Sequence, residues 1–333
     1  MLTKTGLVHT GFLTDRPNSL PVVLTAQSRD VDPLSWVADS REKIESCLSQ
    51  YGAVLFRGFD IPNAAAFRSF CMAVTEEILE SSERAAPRVE ISPRVYTSTE
   101  YPPEYPIPLH HENAFAYRWP MKVLFYCDTP ASQGGKTPIA DDQVFFRLLD
   151  AHVREEFRQK GVMYVRNYGI GIDMPWQEVF QTEVQADVTE YCDSAGMSCE
   201  WLSGNRLRTR RVSPAIISDP RSGKDLWFNH AHLFHISNLQ PELRESLTGE
   251  FQEWDLPRNA FFGDGTSIDE GMLNHIRECY DQAAVCFEWQ KNDVLLVDNM
   301  AIAHGREPFV GPRKILVVLA DCSSKMNHAA VSA

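Results

Sequence analysis

From about residue 90 onward the chain is a succession of short apolar runs, many of them closed by Gly, Pro, Asn or Asp. The runs at 124–127, 163–168, 207–217, 226–229, 294–298 and 314–320 read as strands. Many short strands separated by such turns predict an antiparallel sandwich or barrel, since each strand buries a face against a second sheet. Helical inserts are expected between them at 142–159, 175–193, 240–254 and 269–284. The first 80 residues have another texture. Asp32-Pro33 is a helix start, a capping side chain followed by a residue whose missing N–H costs nothing in the first turn. Residues 53–56 form a short buried strand closed by Gly58. A second helix from about Asn63 then sets Phe67, Phe70, Cys71, Val74 and Ile78 on one face. The expectation is one α+β domain over 1–333. A helix–strand–helix part at about 1–90 leads into a β-sandwich core at about 91–322, with no repeat or low-complexity linker.

Composition narrows the function classes. With 44% hydrophobic and 23% charged residues, the chain is neither disordered nor fibrous. No apolar run approaches the roughly 18 residues that cross a bilayer. Residues 1–14 lack a basic patch followed by an apolar core, so no signal peptide and a cytoplasmic location are expected. The net charge of −13 argues against a nucleic-acid partner, which demands a basic face, but permits a small anion held in a local basic pocket. Eight cysteines without a CxxC pair, in a long chain lacking a secretory signal, are expected as reduced, buried thiols. Cys192/Cys199 and Cys279/Cys286 have the spacing of two helical turns on one face, which suits packing better than chelation. Oligomeric state is not encoded in any pattern found.

Three segments carry chemistry. In Pro108-Leu109-His110-His111-Glu112, His110 and Glu112 share one face of an extended strand. By itself His-x-Glu is equally a solvated surface pair. A second segment ends a strand at His304, turns through Gly305 to Pro312, and opens another apolar strand at Arg313. If the strands holding His110 and His304 are neighbours, two imidazoles and a carboxylate form the facial triad of non-haem iron(II) oxygenases. That set leaves three of six coordination positions open. His111 faces the other way and is read as structural. His230, His232 and His235 are denser but lack a neighbouring glutamate, so packing or substrate contact is expected of them. Arg206, Arg208 and Arg210 share a strand face, either as a solvated stripe or as a grip on an acidic group.

The third segment, Pro130-Ala131-Ser132-Gln133-Gly134-Gly135-Lys136-Thr137-Pro138, completes an ordered set. With Phe56-Arg57-Gly58-Phe59, His110-x-Glu112, Trp227-Phe228-Asn229 and His304-Gly305-Arg306…Gly311-Pro312-Arg313, it resembles the TauD/TfdA-like iron(II)- and 2-oxoglutarate-dependent dioxygenases over most of the chain. Within them it is most similar to the SyrP-like branch of amino-acid hydroxylases. The resemblance implies a double-stranded β-helix (jelly roll) core with flanking helices and a helical insertion. It implies Fe(II) held by His110, Glu112 and His304. It also implies 2-oxoglutarate held by the Thr137 hydroxyl and the Arg313 guanidinium, whose planar fork matches a carboxylate. With O2, 2-oxoglutarate is decarboxylated to succinate while a substrate C–H is hydroxylated.

Related halogenases carry a small residue where Glu112 stands, so hydroxylation is expected over halogenation; desaturation and epoxidation stay open. A non-catalytic ligand-binding sandwich is the competing class, and its mark, a broken triad or a missing arginine, is not seen. Taurine-type members use an arginine where this chain has Val317, which disfavours a small sulfonate. The implied substrate is an amino acid, free or loaded on a carrier protein, in peptide natural-product synthesis. Asn113, Arg210 and Asn229 are the expected polar contacts to it. The segment 169–200, with Gly169 and Gly171, is either an active-site cover or a helix packed outside the barrel.

Overall fold

The computed structural model describes residues 7–13, 19–80, 87–99 and 101–324. Of the stretch 1–14 read for a signal peptide, 1–6 and 14 lie outside the described residues.

Local rules place the first helix. Asp32 accepts a hydrogen bond from the Ser35 amide at 2.7 Å and Pro33 opens the helix Pro33–Tyr51. Asn63 caps Ala64–Val74 in the same way. Both helices cover one face of a sheet whose strands run, edge to edge among the described residues, Val8–Phe12, Val22–Ala26, Ala53–Arg57, Val294–Asp298, Arg118–Thr129, Lys314–Ser324, Val95–Thr97 and Glu90–Ser92. Its central strands are buried on both faces, which explains their unbroken apolar runs. Val54, Phe56, Leu124, Leu296 and Leu316 pack towards the helices. Leu55, Val123, Phe125, Leu295 and Val317 point the other way, into a second core.

A second sheet contributes to that core. It orders Ala284–Val285, Ile139–Asp141, Ile302–Arg306 and Ile107–His110, and supplies Ile139 and Ile302. A third sheet, Ser198–Leu202, Arg206–Ser213, Val162–Tyr168 and Arg258–Phe262, carries the helices Trp176–Phe180 and Gln185–Ser194. The chain is thus α+β.

Several expectations change in detail. Two strands, Val8–Phe12 and Val22–Ala26, precede the first helix and extend the large sheet. The expected strand at 207–217 breaks at Pro214, which has no N–H to give a ladder, into Arg206–Ser213 and Ile216–Ser218. The insert at 142–159 is two helices, Asp142–Leu148 and Ala151–Lys160, because Asp150 caps a new start. The insert at 175–193 divides similarly into Trp176–Phe180 and Gln185–Ser194. None of the eight cysteines is in a disulfide, but only Cys71, Cys127, Cys192 and Cys279 are buried; Cys47 and Cys199 are half-buried, and Cys286 and Cys322 are exposed. Cys199 lies on a strand and Cys286 beyond its helix, so neither pair shares a helical face.

Candidate metal centre

The strands Ile302–Arg306 and Ile107–His110 pair antiparallel, with His304 directly opposite His110. Gly305 makes that approach possible. A Cβ there would stand 2.7 Å from the Ile107 carbonyl oxygen, closer than the backbones permit. The two imidazole rings come within 4.7 Å. His110 Nδ1 lies 2.8 Å from the Pro108 carbonyl, which only accepts, so Nδ1 carries the proton and Nε2 keeps its lone pair.

Glu112 reaches the same place by a route that strand alternation does not describe. The strand ends at His110, and Glu112 sits in the turn that follows. Buried Asn299 fixes the turn: its Oδ1 accepts the Glu112 amide at 2.7 Å and its Nδ2 donates to the Glu112 carbonyl at 2.9 Å. His111 anchors the far side, Nδ1 donating to the Asn299 carbonyl at 2.7 Å and Nε2 lying 3.3 Å from Asp142. Its reading as structural agrees with that burial.

The donor atoms of His110, Glu112 and His304 all lie within 4.8 Å of one another, the one such group of three or more among the described residues. His304 Nδ1 is buried without a hydrogen-bond partner. Two neutral imidazoles and an anionic carboxylate on one side of a cavity suit a divalent first-row metal and leave positions open towards the cavity. Burial and the nearby His304 hold His110 down at about 4, so it is a neutral imidazole at physiological pH. Burial alone would raise the Glu112 carboxyl, but Arg88, His304 and His110 together keep it well below the usual carboxylate range.

The cavity beside this cluster has about 420 Å³ of space, partly open to solvent. Thr137 and Arg313 line it, as do Phe125, Ile315 and Val317 from the large sheet. The glycine pair positions Arg313. Its Nε donates to the Gly135 carbonyl at 2.9 Å, and a Cβ on Gly135 would press on that side chain at 3.0 Å. Burial, then Arg306, lowers the Arg313 guanidinium to about 10. Trp289 Nε1 donates to the Thr137 hydroxyl at 3.0 Å, so the hydroxyl's own proton remains to be given to a ligand.

The three expected substrate contacts do not line this cavity. Asn229 is fully buried; its side chain donates to the Ala215 carbonyl and accepts the Ala231 amide. Arg210 points outward and pairs with Glu200 at 3.2 Å. Asn113 adopts a left-handed backbone (φ 57°) in the turn after Glu112 and caps it through its carbonyl. His230 and His232 bond through Nε2 to the backbone carbonyls of His111 and Leu109, which makes them packing residues. The sequence reading missed Arg88, which holds both Glu112 oxygens at 2.9–3.0 Å, and Asn299 and Trp289. Nothing around Arg88 in the sequence signals its role. Asn299 stood in plain view beside the His304 segment.

The model of the taurine catabolism dioxygenase TauD, TfdA family matches residues 18–319. The chain belongs to the TauD/TfdA family. It is an enzyme of that family, an Fe(II)- and 2-oxoglutarate-dependent dioxygenase acting on a small molecule with O2. It is 43% identical over 282 residues to the dapdiamide synthesis protein DdaC of Enterobacter agglomerans, covering 85% of this chain and 86% of the relative. A clavaminate synthase-like protein of Arabidopsis thaliana is 30% identical over 298 residues, with the same coverage. Among solved structures PvcB of Pseudomonas aeruginosa matches with a TM-score of 0.55 at 17% identity, over 94% of this chain and 90% of that one. That likeness speaks for the fold. No helix among the described residues is long and apolar enough to cross a membrane.

Proposed function

We propose that this dioxygenase hydroxylates an unactivated C–H of an amino-acid substrate, free or carrier-bound, in natural-product biosynthesis. His110, Glu112 and His304 hold the iron, and Thr137 and Arg313 hold the distal carboxylate of 2-oxoglutarate. The observation that carries the reading is the pairing of His304 with His110 beside Glu112, at the mouth of a cavity containing Arg313. The relation to a dapdiamide synthesis protein supports the biosynthetic setting. The two sheets that share the core around Phe125, Ile139 and Val317 are read as the halves of a double-stranded β-helix. The chain's free thiols fit a cytoplasmic enzyme.

Iron and 2-oxoglutarate supply oxidising power that no side chain has. The residues here do the rest. Arg313 and Thr137 orient the dicarboxylate by charge and hydrogen bond. Neutral His110 would offer its Nε2 lone pair to a metal, because the Pro108 carbonyl accepts the proton on Nδ1. Phe125, Ile315 and Val317 give the cavity an apolar wall on the side of the large sheet. Val317 offers no charge for a sulfonate, which favours a substrate other than taurine.

Anaerobic protein loaded with Fe(II) should develop a visible charge-transfer band on adding 2-oxoglutarate; no band with the metal bound would overturn the site. A succinate-release screen then sets free amino acids beside the same amino acids loaded on carrier proteins. Coupled turnover in either arm supports the reading, and none in both removes the substrate class.

A further inference from the structure

The cavity beside His110, Glu112 and His304 carries more positive charge than 2-oxoglutarate can answer. Arg88, Arg306 and Arg313 line it, and Glu112 is the one carboxylate among its described lining residues. A divalent cation raises that surplus, and the two carboxylates of 2-oxoglutarate offset only part of it. Buried positive charge without an answering anion is unfavourable, so the cavity favours a further acidic ligand.

The three guanidinium groups differ in what they have left to give. Arg306 donates through both terminal nitrogens to the carbonyls of Tyr101, Pro102 and Tyr105. Arg313, the proposed partner of 2-oxoglutarate, gives its Nε to the Gly135 carbonyl. Arg88 is engaged through a single nitrogen, its Nη2 donating to both Glu112 oxygens at 2.9–3.0 Å. Its Nε and Nη1 make no hydrogen bond among the described residues, although the side chain is only 9% exposed. The edge of the large sheet holds it there: the Thr97 amide donates to the Val89 carbonyl at 2.8 Å, and the Val89 amide donates to the Thr97 hydroxyl at 3.0 Å. A buried guanidinium with one edge unspent, lining a cavity, matches the two oxygens of a carboxylate.

We propose that Arg88 binds a free carboxylate of the substrate, and that metal binding prepares it by taking over the charge of Glu112. The proposal rests on the metal site and the amino-acid-type substrate argued above. Without metal, Arg88 and Glu112 compensate each other. With a divalent cation on Glu112, the guanidinium is short of counter-charge and its open edge faces a cavity of rising positive potential. Thr137 and Arg313 answer the distal end of 2-oxoglutarate, which leaves Arg88 for the second ligand. An amino acid loaded as a thioester has lost its α-carboxylate, so Arg88 selects a free amino acid or one with an acidic side chain.

The test uses the full chain saturated with Mn(II) and 2-oxoglutarate, titrated with N-acetyl-L-alanine and with N-acetyl-L-alaninamide, which differ only in the carboxylate. Relaxation of the probe's acetyl methyl protons by Mn(II) reports binding close to the metal, even when it is weak. The carboxylate should bind about tenfold or more tightly than the amide, the worth of one charge-assisted hydrogen bond. Arg88→Gln should lower that preference by at least about threefold, and so should Arg88→Lys, which keeps the charge and loses the fork. The lysine variant decides the matter where the glutamine variant does not fold. In Arg88→Lys the affinity for 2-oxoglutarate should fall less than that for the probe. Equal binding of the two probes, no binding, or a preference that survives either variant overturns the proposal. A larger loss for 2-oxoglutarate than for the probe gives Arg88 to the cosubstrate and also overturns it. The charge-transfer band of the Fe(II) protein on adding 2-oxoglutarate separates this failure from failure of the metal site. A normal band without a carboxylate preference sinks the role of Arg88 alone, and no band removes the site on which that role rests.

Discussion

Arg88 and an incoming metal ion compete for one carboxylate, and that competition can be measured. The Arg88 guanidinium holds both Glu112 oxygens at 2.9–3.0 Å, with each side chain 9% exposed. Charge centres about 4 Å apart interact by about 4 kcal/mol at an effective dielectric of 20. Removing one member of a buried pair costs about 3–5 kcal/mol. His304, 3.8 Å from Glu112, offsets part of the loss, so Arg88→Gln should destabilise metal-free protein by about 3 kcal/mol. A divalent cation compensates Glu112 far better than a guanidinium does, and it repels Arg88. In saturating metal the penalty should therefore shrink below about 1 kcal/mol, the worth of one ordinary hydrogen bond. The difference, about 2 kcal/mol, must appear as metal affinity raised about 30-fold in the variant. Isothermal titration with Mn(II) or Co(II) at pH 7.5 reads it directly, and denaturation with and without metal closes the cycle. Equal destabilisation in both states, or unchanged or weakened metal affinity, would refute the competition.

Arg313→Leu should weaken 2-oxoglutarate binding by about 30-fold or more while leaving Mn(II) binding intact, since it removes a charged partner from a buried site. Thr137→Val should cost only about fivefold, one hydroxyl bond; the band titration ranks the two, and a reversed order would contradict the assigned roles. Gly305→Ala forces a Cβ against the Ile107 carbonyl, so Mn(II) affinity should fall although no ligand has changed. Stability should drop on acidification through buried histidines. Burial holds His232 at about 3 and His235 at about 4, against an ordinary 6.5. Below pH 6.5 the unfolded chain binds protons that the folded one refuses, so stability falls as pH falls, by about 2 kcal/mol per histidine at pH 5. Unfolding midpoints from pH 7.5 to 5 test this, and His235→Asn should flatten the slope.

The clustering of His110, Glu112 and His304 was legible because their chemistry and their neighbours in sequence restrict them together. His110 ends its strand two residues after Pro108, whereas His304 lies mid-strand beside Gly305 in a strand that runs on to Arg306, and their meeting needs only that the two strands pair. Glu112 was found for an imperfect reason: it lies past the strand, where Asn299 rather than alternation aims it. The arginine stripe shows where such reasoning fails. Leu207, Thr209 and Arg211 form the buried phase of the strand, with Arg206, Arg208 and Arg210 turned outward to Ser203, Asp255 and Glu200. Both phases carry arginine, so hydrophobicity could not select the inward one. Arg88 had no pattern at all, because its role comes from a contact across 24 positions of chain.

The arginine-lined cavity beside His110, Glu112 and His304 resolves an apparent conflict between the chain's charge and its ligands. A net charge of −13 gives a field that repels 2-oxoglutarate and any acidic substrate at long range. That field is screened beyond about 8 Å at physiological ionic strength. Inside the cavity the opposing charges are close and desolvated: Arg88, Arg306 and Arg313 beside His110, Glu112 and His304. Capture of an anion is then governed by contact geometry rather than by steering. That geometry is stiff, because the Arg306 fork is spent on the carbonyls of Tyr101, Pro102 and Tyr105, and Arg313 is tied to Gly135. On the proposed reading, a dicarboxylate entering the cavity would meet Arg313 already oriented, next to the His110, Glu112 and His304 cluster built from one strand pair and one turn. Selectivity among anions consequently resides in side chains that are held before the ligand arrives.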